Sequence, residues 1–104
     1  MTDKRKIPPT HPGEILKLDF LEPLGLSQNK LAEALSVNPR RVSEIVNGKR
    51  SVTADTALRL ARFFDVTPGF WMGLQAQYDL DVAEDALEGR LEREVKTQKE
   101  AIPS

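Results

Sequence analysis

The sequence predicts an all-α domain, and three observations carry that expectation. Apolar residues recur at helical spacing in successive segments, residues that cap free N–H groups stand before most of those segments, and no stretch alternates with period two. The first segment, His11-Pro-Gly-Glu-Ile-Leu-Lys-Leu-Asp-Phe-Leu-Glu-Pro, puts Ile15, Leu16, Phe20 and Leu21 on helical spacing; Pro12 suits its first turn and Pro23 is expected to stop it. Ser27 caps a second helix over Gln28–Leu35, whose inward positions are Leu31, Ala32 and Leu35. Asn38-Pro39 restarts the chain, because Asn caps the free N–H groups and Pro at the first helical position brings a preset φ and no surplus donor. This third helix runs to about Asn47, where Gly48 supplies the left-handed residue that ends it. Thr53 caps a fourth over Ala54–Phe64, with Ala57, Leu58, Leu60, Ala61 and Phe64 inside and Asp55, Arg59 and Arg62 outside. Thr67-Pro68 repeats the cap-plus-proline device and opens a fifth, in which Phe70, Trp71, Leu74 and Tyr78 recur at helical spacing.

A chain of 104 residues with 39% hydrophobic and 30% charged residues fits one domain. It has no cysteine, which excludes disulfides, thiolate metal sites and cysteine nucleophiles, and nothing in it requires an oxidising compartment. The single histidine, His11, leaves no second imidazole for a histidine-rich metal site and little scope for triad chemistry, so neither an enzyme nor a cofactor is expected. No apolar run approaches the ~20 residues of a membrane span, and the basic amino terminus lacks the apolar stretch of a signal peptide. A cytoplasmic protein with no membrane partner is the expectation. The formal net charge of −1 conceals an asymmetry: through Arg62 eleven basic residues face seven acidic ones, a balance of +4, whereas the remainder holds four against nine, a balance of −5. The two parts invite partners of opposite charge.

Two helices joined by the short turn Ser36-Val37-Asn38, the second of them capped for a sharp start, are what a helix-turn-helix needs to lay one helix in a major groove. Rotating the third helix by ~100° per residue puts Val42, Ile45 and Val46 on one face, to pack against the second helix, and Arg40, Ser43, Glu44 and Asn47 on the other. The second face suits base edges. Arg bonds guanine O6 and N7, Asn reads adenine, and Glu accepts from cytosine N4 or, as Glu44 follows Arg40 by four residues, holds that arginine in place. Arg41 on the boundary, with Gln28, Asn38, Lys49, Arg50 and Thr53 around the face, are candidates for contacts to the DNA backbone, which position a protein without specifying sequence.

These residues also carry a family resemblance. The pattern Gln28-x3-Ala32-x3-Ser36-x5-Val42-x2-Ile45, followed by Asn47-Gly-Lys-Arg, resembles the Xre/Cro type of helix-turn-helix shared with phage repressors. A wider string is similar to the HigA antitoxins of bacterial toxin–antitoxin modules: His11-Pro-Gly-Glu-Ile-Leu, Phe20-Leu-Glu-Pro-Leu-Gly-Leu-Ser-Gln, Ser43-Glu-Ile-Val-Asn-Gly-Lys-Arg, Thr53-Ala-Asp-Thr-Ala-Leu-Arg-Leu-Ala and Phe70-Trp, over about residues 11 to 82. The resemblance implies a five-helix repressor-like domain, dimeric, that binds double-stranded operator DNA, represses its own operon and neutralises a HigB-like, RNA-cleaving toxin of RelE-like fold. One departure stands out: the repressor pattern favours Gly where this chain has Ser36, at a turn position that often takes φ > 0.

Three stretches are thus expected: a flexible segment over residues 1–9, the helix-turn-helix domain over 10–82 and an acidic extension over 83–104, helical or disordered. In that extension Leu87, Leu91 and Val95 share one face if the helix is continuous. A stand-alone repressor without a toxin, or an interaction module that has lost DNA binding, are the other functions the fold could serve. His11 has no identifiable nucleophile or carboxylate beside it for general-base work and is expected at the helix entry, and Asp79, Asp81 and Asp85 lack the glycine turn of a calcium loop. Phe70, Trp71, Met72, Leu74 and Tyr78 are expected to supply packing core and, in part, the contact of a homodimer.

Overall fold

The computed structural model describes residues 8–102; residues 1–7 of the segment expected to be flexible lie outside the described part. Every regular element among the described residues is helical. The first, α1, is one helical run in three pieces: Pro12–Ile15, a wider π-helical stretch Leu16–Leu21, and Glu22–Leu24. It is followed by α2 (Gln28–Leu35), α3 (Pro39–Val46), α4 (Ala54–Phe64), the long α5 (Pro68–Leu87) and two short exposed helices, α6 (Arg90–Glu94) and α7 (Gln98–Ala101).

The expected all-α domain is present, with side-chain caps where the sequence placed them. Ser27 Oγ accepts from the Lys30 N–H at 3.1 Å, Asn38 Oδ1 from Arg40 at 2.8 Å, and Thr67 Oγ1 from Phe70 at 3.2 Å. Pro23, however, does not stop α1. Hydrogen bonds in the preceding turns span five residues, as from the Glu22 N–H to the Lys17 carbonyl, and this wider winding accommodates a residue with no N–H to give. The helix ends two residues later at Gly25, whose φ of 63° lets the Leu26 N–H reach back to the Leu21 carbonyl at 2.9 Å.

Leu58 is a second correction, since it was expected inside and is 59% exposed. Ala57, Leu60, Ala61 and Phe64 define the inward stripe of α4, and Leu58 stands ~100° round the helix from Ala57, away from the rest. The core gathers Leu16, Leu21, Leu31, Leu35, Val42, Ile45 and Leu60 around Trp71, which is completely buried. Phe20 of α1 bridges Phe64 of α4 and Trp71 of α5, with ring centroids 4.7 and 5.1 Å away, so three helices are locked through one aromatic cluster.

The acidic extension also differs from the expected single stripe. α5 carries the chain unbroken to Leu87, and then Glu88 and Gly89 both take positive φ (45° and 79°), so α6 starts in a new direction. Val95 is extended and exposed, off the face it would share in a continuous helix. Leu87 and Leu91 nevertheless border one shallow hollow, together with Gln77, Leu80, Asp81, Ala83 and Glu84.

At Gly13 the backbone of α1 passes close against that of α3. A Cβ placed on Gly13 would lie 1.7 Å from the Ile45 carbonyl oxygen, a contact with backbone that no side-chain rotation relieves. Gly13→Ala is therefore expected to lower stability by about 3 kcal/mol or more, at the upper end of overpacking effects, in urea unfolding. Gly73, with nothing within 4 Å of the same position, is the control: Gly73→Ala is expected to be neutral or stabilising, by up to about 1 kcal/mol from helix propensity. Equal stabilities of the two variants would contradict the crossing.

Candidate nucleic-acid interface

Both ends of the α2–α3 turn are built from local chemistry. Ser36 takes the left-handed conformation, φ 58° and ψ 47°, the position where the repressor pattern favours Gly. The Val37 N–H then bonds the Ala32 carbonyl at 3.0 Å, while the Val37 side chain packs against the core. Serine thus performs the turn, with some backbone strain. At the other end of α3, Gly48 (φ 74°) lets the Lys49 N–H return to the Glu44 carbonyl at 2.8 Å. A helix this short is held by its surroundings: Val42 and Ile45 are 2% and 1% exposed, and Val46 is half-buried.

The outward face carries the residues the sequence singled out. Arg40 projects, its side chain 81% exposed, and Asn47 is exposed at the end of the helix; Ser43 and Glu44 are half-buried. Glu44 is the hub of this face. Arg40 Nε donates to one of its oxygens at 2.9 Å, and Arg50 donates to the other through Nη2 at 2.7 Å and Nε at 2.8 Å. The two guanidinium groups, Arg50's first, hold the Glu44 carboxyl below the usual carboxylate range. The i, i+4 pair with Arg40 was legible in the sequence; the bond to Arg50, across the end of the helix, was not.

Arg41 points to the other side of α3. Its Nη1 donates to Asp55 at 2.7 Å and lies 3.3 Å from the Thr56 hydroxyl. Arg59 Nε donates to that same Asp55 oxygen at 3.0 Å, and Arg59 Nη1 donates to the Leu35 carbonyl at 2.9 Å, at the carboxy-terminal end of α2. Asp55, its carboxyl lowered by Arg41 and then Arg59, therefore ties α3, α4 and the end of α2 into one chain of charge-assisted bonds. Sequence reasoning left Asp55 and Arg59 as outward-facing charges. Their i, i+4 spacing was the one available signal, and it revealed neither the arginine from α3 nor the carbonyl from α2.

The remaining candidates surround the face. Lys49 and Arg50 are exposed in the loop after α3, Gln28 is half-buried at the start of α2, and Thr53 is exposed with Oγ1 3.4 Å from the Thr56 N–H. Asn38 is exposed; its Oδ1 is committed to the cap, which leaves the amide NH2 as its outward donor. His11 enters α1 as expected: Nδ1 accepts from the Gly13 N–H at 2.9 Å, and the ring meets Tyr78 edge-on at 4.9 Å. Burial lowers its pKa from 6.5, while the nearby Asp79 carboxylate and a bond to the Arg50 carbonyl act in the opposite sense.

Of the five residues expected at a dimer contact, Trp71 has no surface to offer, because it is 0% exposed and wholly occupied by the core. Phe70 and Met72 are each 39% exposed, and Leu74 and Tyr78 are half-buried. Among the described residues no cluster of three or more His, Cys, Asp or Glu could hold a metal ion, and no helix is long and apolar enough to cross a membrane.

Fold and face together define a helix-turn-helix domain, with α2 supporting and α3 presented. The sequence matches the helix-turn-helix family model over residues 19–71, and the chain belongs to that family. It is 51% identical over 81 residues to virulence-associated protein I of Dichelobacter nodosus, covering 78% of this chain and 75% of that one. Among solved structures it is similar to an addiction module antidote protein of the HigA family from Coxiella burnetii, at 46% identity and a TM-score of 0.83 over 88% of this chain and 99% of the other. It is also similar to the Pseudomonas aeruginosa antitoxin HigA with the higBA promoter, at 42% identity and a TM-score of 0.83 over 86% and 98%.

Proposed function

We propose that this chain is a sequence-specific DNA-binding antitoxin of the HigA kind, which represses its own operon and neutralises a HigB-like toxin. The observation that carries the reading is α3 itself: one side is buried on Val42 and Ile45, and the other offers Arg40, Ser43 and Asn47 with Lys49 and Arg50 beyond its end. The likeness to an antitoxin solved with its promoter supports the same conclusion. In the groove, Arg40 is the residue fitted to a guanine edge and Asn47 to an adenine, with Glu44 holding Arg40 or accepting from cytosine. Gln28, Asn38, Arg41, Lys49, Arg50 and Thr53 line the path of the phosphates. The DNA partner makes the cytoplasm the site of action.

One short helix reads few base pairs, so two copies on an inverted repeat are the economical arrangement, with half-sites about 34 Å or a multiple apart. Phe70, Met72, Leu74 and Tyr78 on α5 are the proposed contact, and a two-fold axis would set that helix against its own copy. The toxin is proposed to dock on the acidic carboxy-terminal part. Its hollow beside Leu80, Leu87 and Leu91 offers apolar surface flanked by acidic side chains, which steers and then packs a basic protein.

Binding to the chain's own promoter, followed by fluorescence anisotropy, tests the DNA reading. Arg40→Ala is expected to weaken the cognate site by about 1 to 3 kcal/mol and to relax preference at one base pair, whereas Lys49→Ala weakens all sequences alike and reduces the salt slope by about one unit. Unchanged affinity of Arg40→Ala would remove α3 as the reader. For the toxin, Leu87→Asp with Leu91→Asp is expected to weaken calorimetric binding of the neighbouring gene's product at least tenfold, equivalent to about 1.4 kcal/mol. Wild-type affinity in that variant would move the toxin surface elsewhere.

A further inference from the structure

The loop between α3 and α4 carries Lys49 and Arg50, and its anchorage comes from an unexpected place. Gln75, on α5, is one of two buried polar residues in the described structure, 5% exposed. Its Oε1 accepts from the backbone N–H of Val52 at 2.7 Å, and its Nε2 donates to Asp79 Oδ1 at 3.0 Å, one turn further along the same helix. The two bonds fix the amide in one orientation, since a flipped amide would set oxygen against carboxylate and NH2 against N–H. Val52 itself is 2% exposed, and the next residue, Thr53, caps α4. A buried N–H in a loop needs a partner, and α5 supplies it. The bond spans 23 positions in sequence and joins the helix proposed for dimer contact to the strip proposed for phosphate contact.

We propose that Gln75 is the positioning residue for the far end of the DNA-contact loop: α3 holds the near end through the Lys49 N–H on the Glu44 carbonyl and Arg50 on the Glu44 carboxylate, Gln75 holds Val52, and without it α3 still reads bases but the loop loses its phosphate register. This inference rests on the DNA reading above. It assigns Gln75 no contact with DNA; the side chain acts only through the backbone it holds.

The test uses the full chain and promoter DNA. Gln75→Glu keeps an acceptor for Val52 but turns a second carboxylate oxygen toward Asp79. Affinity is expected to fall at least fivefold and the slope of log Kobs against log salt to shrink by about one unit, with the base preference at the Arg40 position unchanged. Adding Asp79→Asn is expected to restore the slope, because the carboxamide introduced at 79 can donate to the carboxylate introduced at 75. If Gln75→Glu does not fold, Gln75→Met, which removes both bonds without adding charge, carries the same expectation. Amide exchange gives a readout that needs no DNA: the Val52 N–H should exchange at least tenfold faster in the variant, while the Val42 and Ile45 amides of α3 stay protected. A wild-type salt slope, failure of Asp79→Asn to rescue, or an unchanged Val52 exchange rate would each overturn the proposal. A wild-type chain with no affinity for its promoter would overturn the DNA reading as well, and so separates the two failures.

Discussion

An eight-residue helix with charged and polar side chains over half its surface has no stability of its own in water, and most of this fold is organised around holding one such helix still. Caps and a left-handed turn close its two ends. Val42 and Ile45 anchor its inner side, and at Gly13 the backbone of α1 approaches so near that a methyl group would not fit. Arg41 ties its flank to α4 through Asp55. With those constraints satisfied, the polar side faces solvent with little freedom in the backbone beneath it. Recognition benefits directly, because order already present before binding is not lost again on binding.

The charges follow the same logic. Arg40 and Arg50 are not loose cations: both lean on Glu44, so their guanidinium groups are aimed before any ligand arrives. Glu44 offsets part of their positive charge, which trades general attraction for fixed geometry. α5, a 20-residue helix about 30 Å long, leads from the core to the acidic carboxy-terminal residues, in a molecule 58 Å in its longest dimension.

Local rules made much of this legible from the sequence. Ser27, Asn38 and Thr67 begin helices because a side-chain oxygen can reach an unpaired N–H within three residues, and that chemistry is written in adjacent positions. The polar and apolar faces of α3 followed from helical rotation alone. Three things escaped because they depend on what lies across space. Pro23 was expected to end α1, yet hydrogen bonds spanning five residues before it carry the helix on to Leu24. Glu88 takes a left-handed conformation beside Gly89 and turns the chain, which a stripe drawn through Leu87, Leu91 and Val95 did not foresee. Asp55 and Arg59 looked like surface charges and Gln75 carried no signal, yet each meets a partner 14 or more positions away. The resemblance to HigA antitoxins supplied the class of function; the local physics supplied the face that performs it.

The central claim is that α3 enters the major groove with its polar side to the bases. Methylation interference on promoter DNA tests it most directly, because a methyl group on guanine N7 blocks only the major-groove edge. The account predicts that methylated guanines interfere in two clusters separated by about one helical turn, or a multiple of it, on one side of the duplex. Binding indifferent to guanine N7 methylation, yet abolished by blocking adenine N3 in the minor groove, would contradict it.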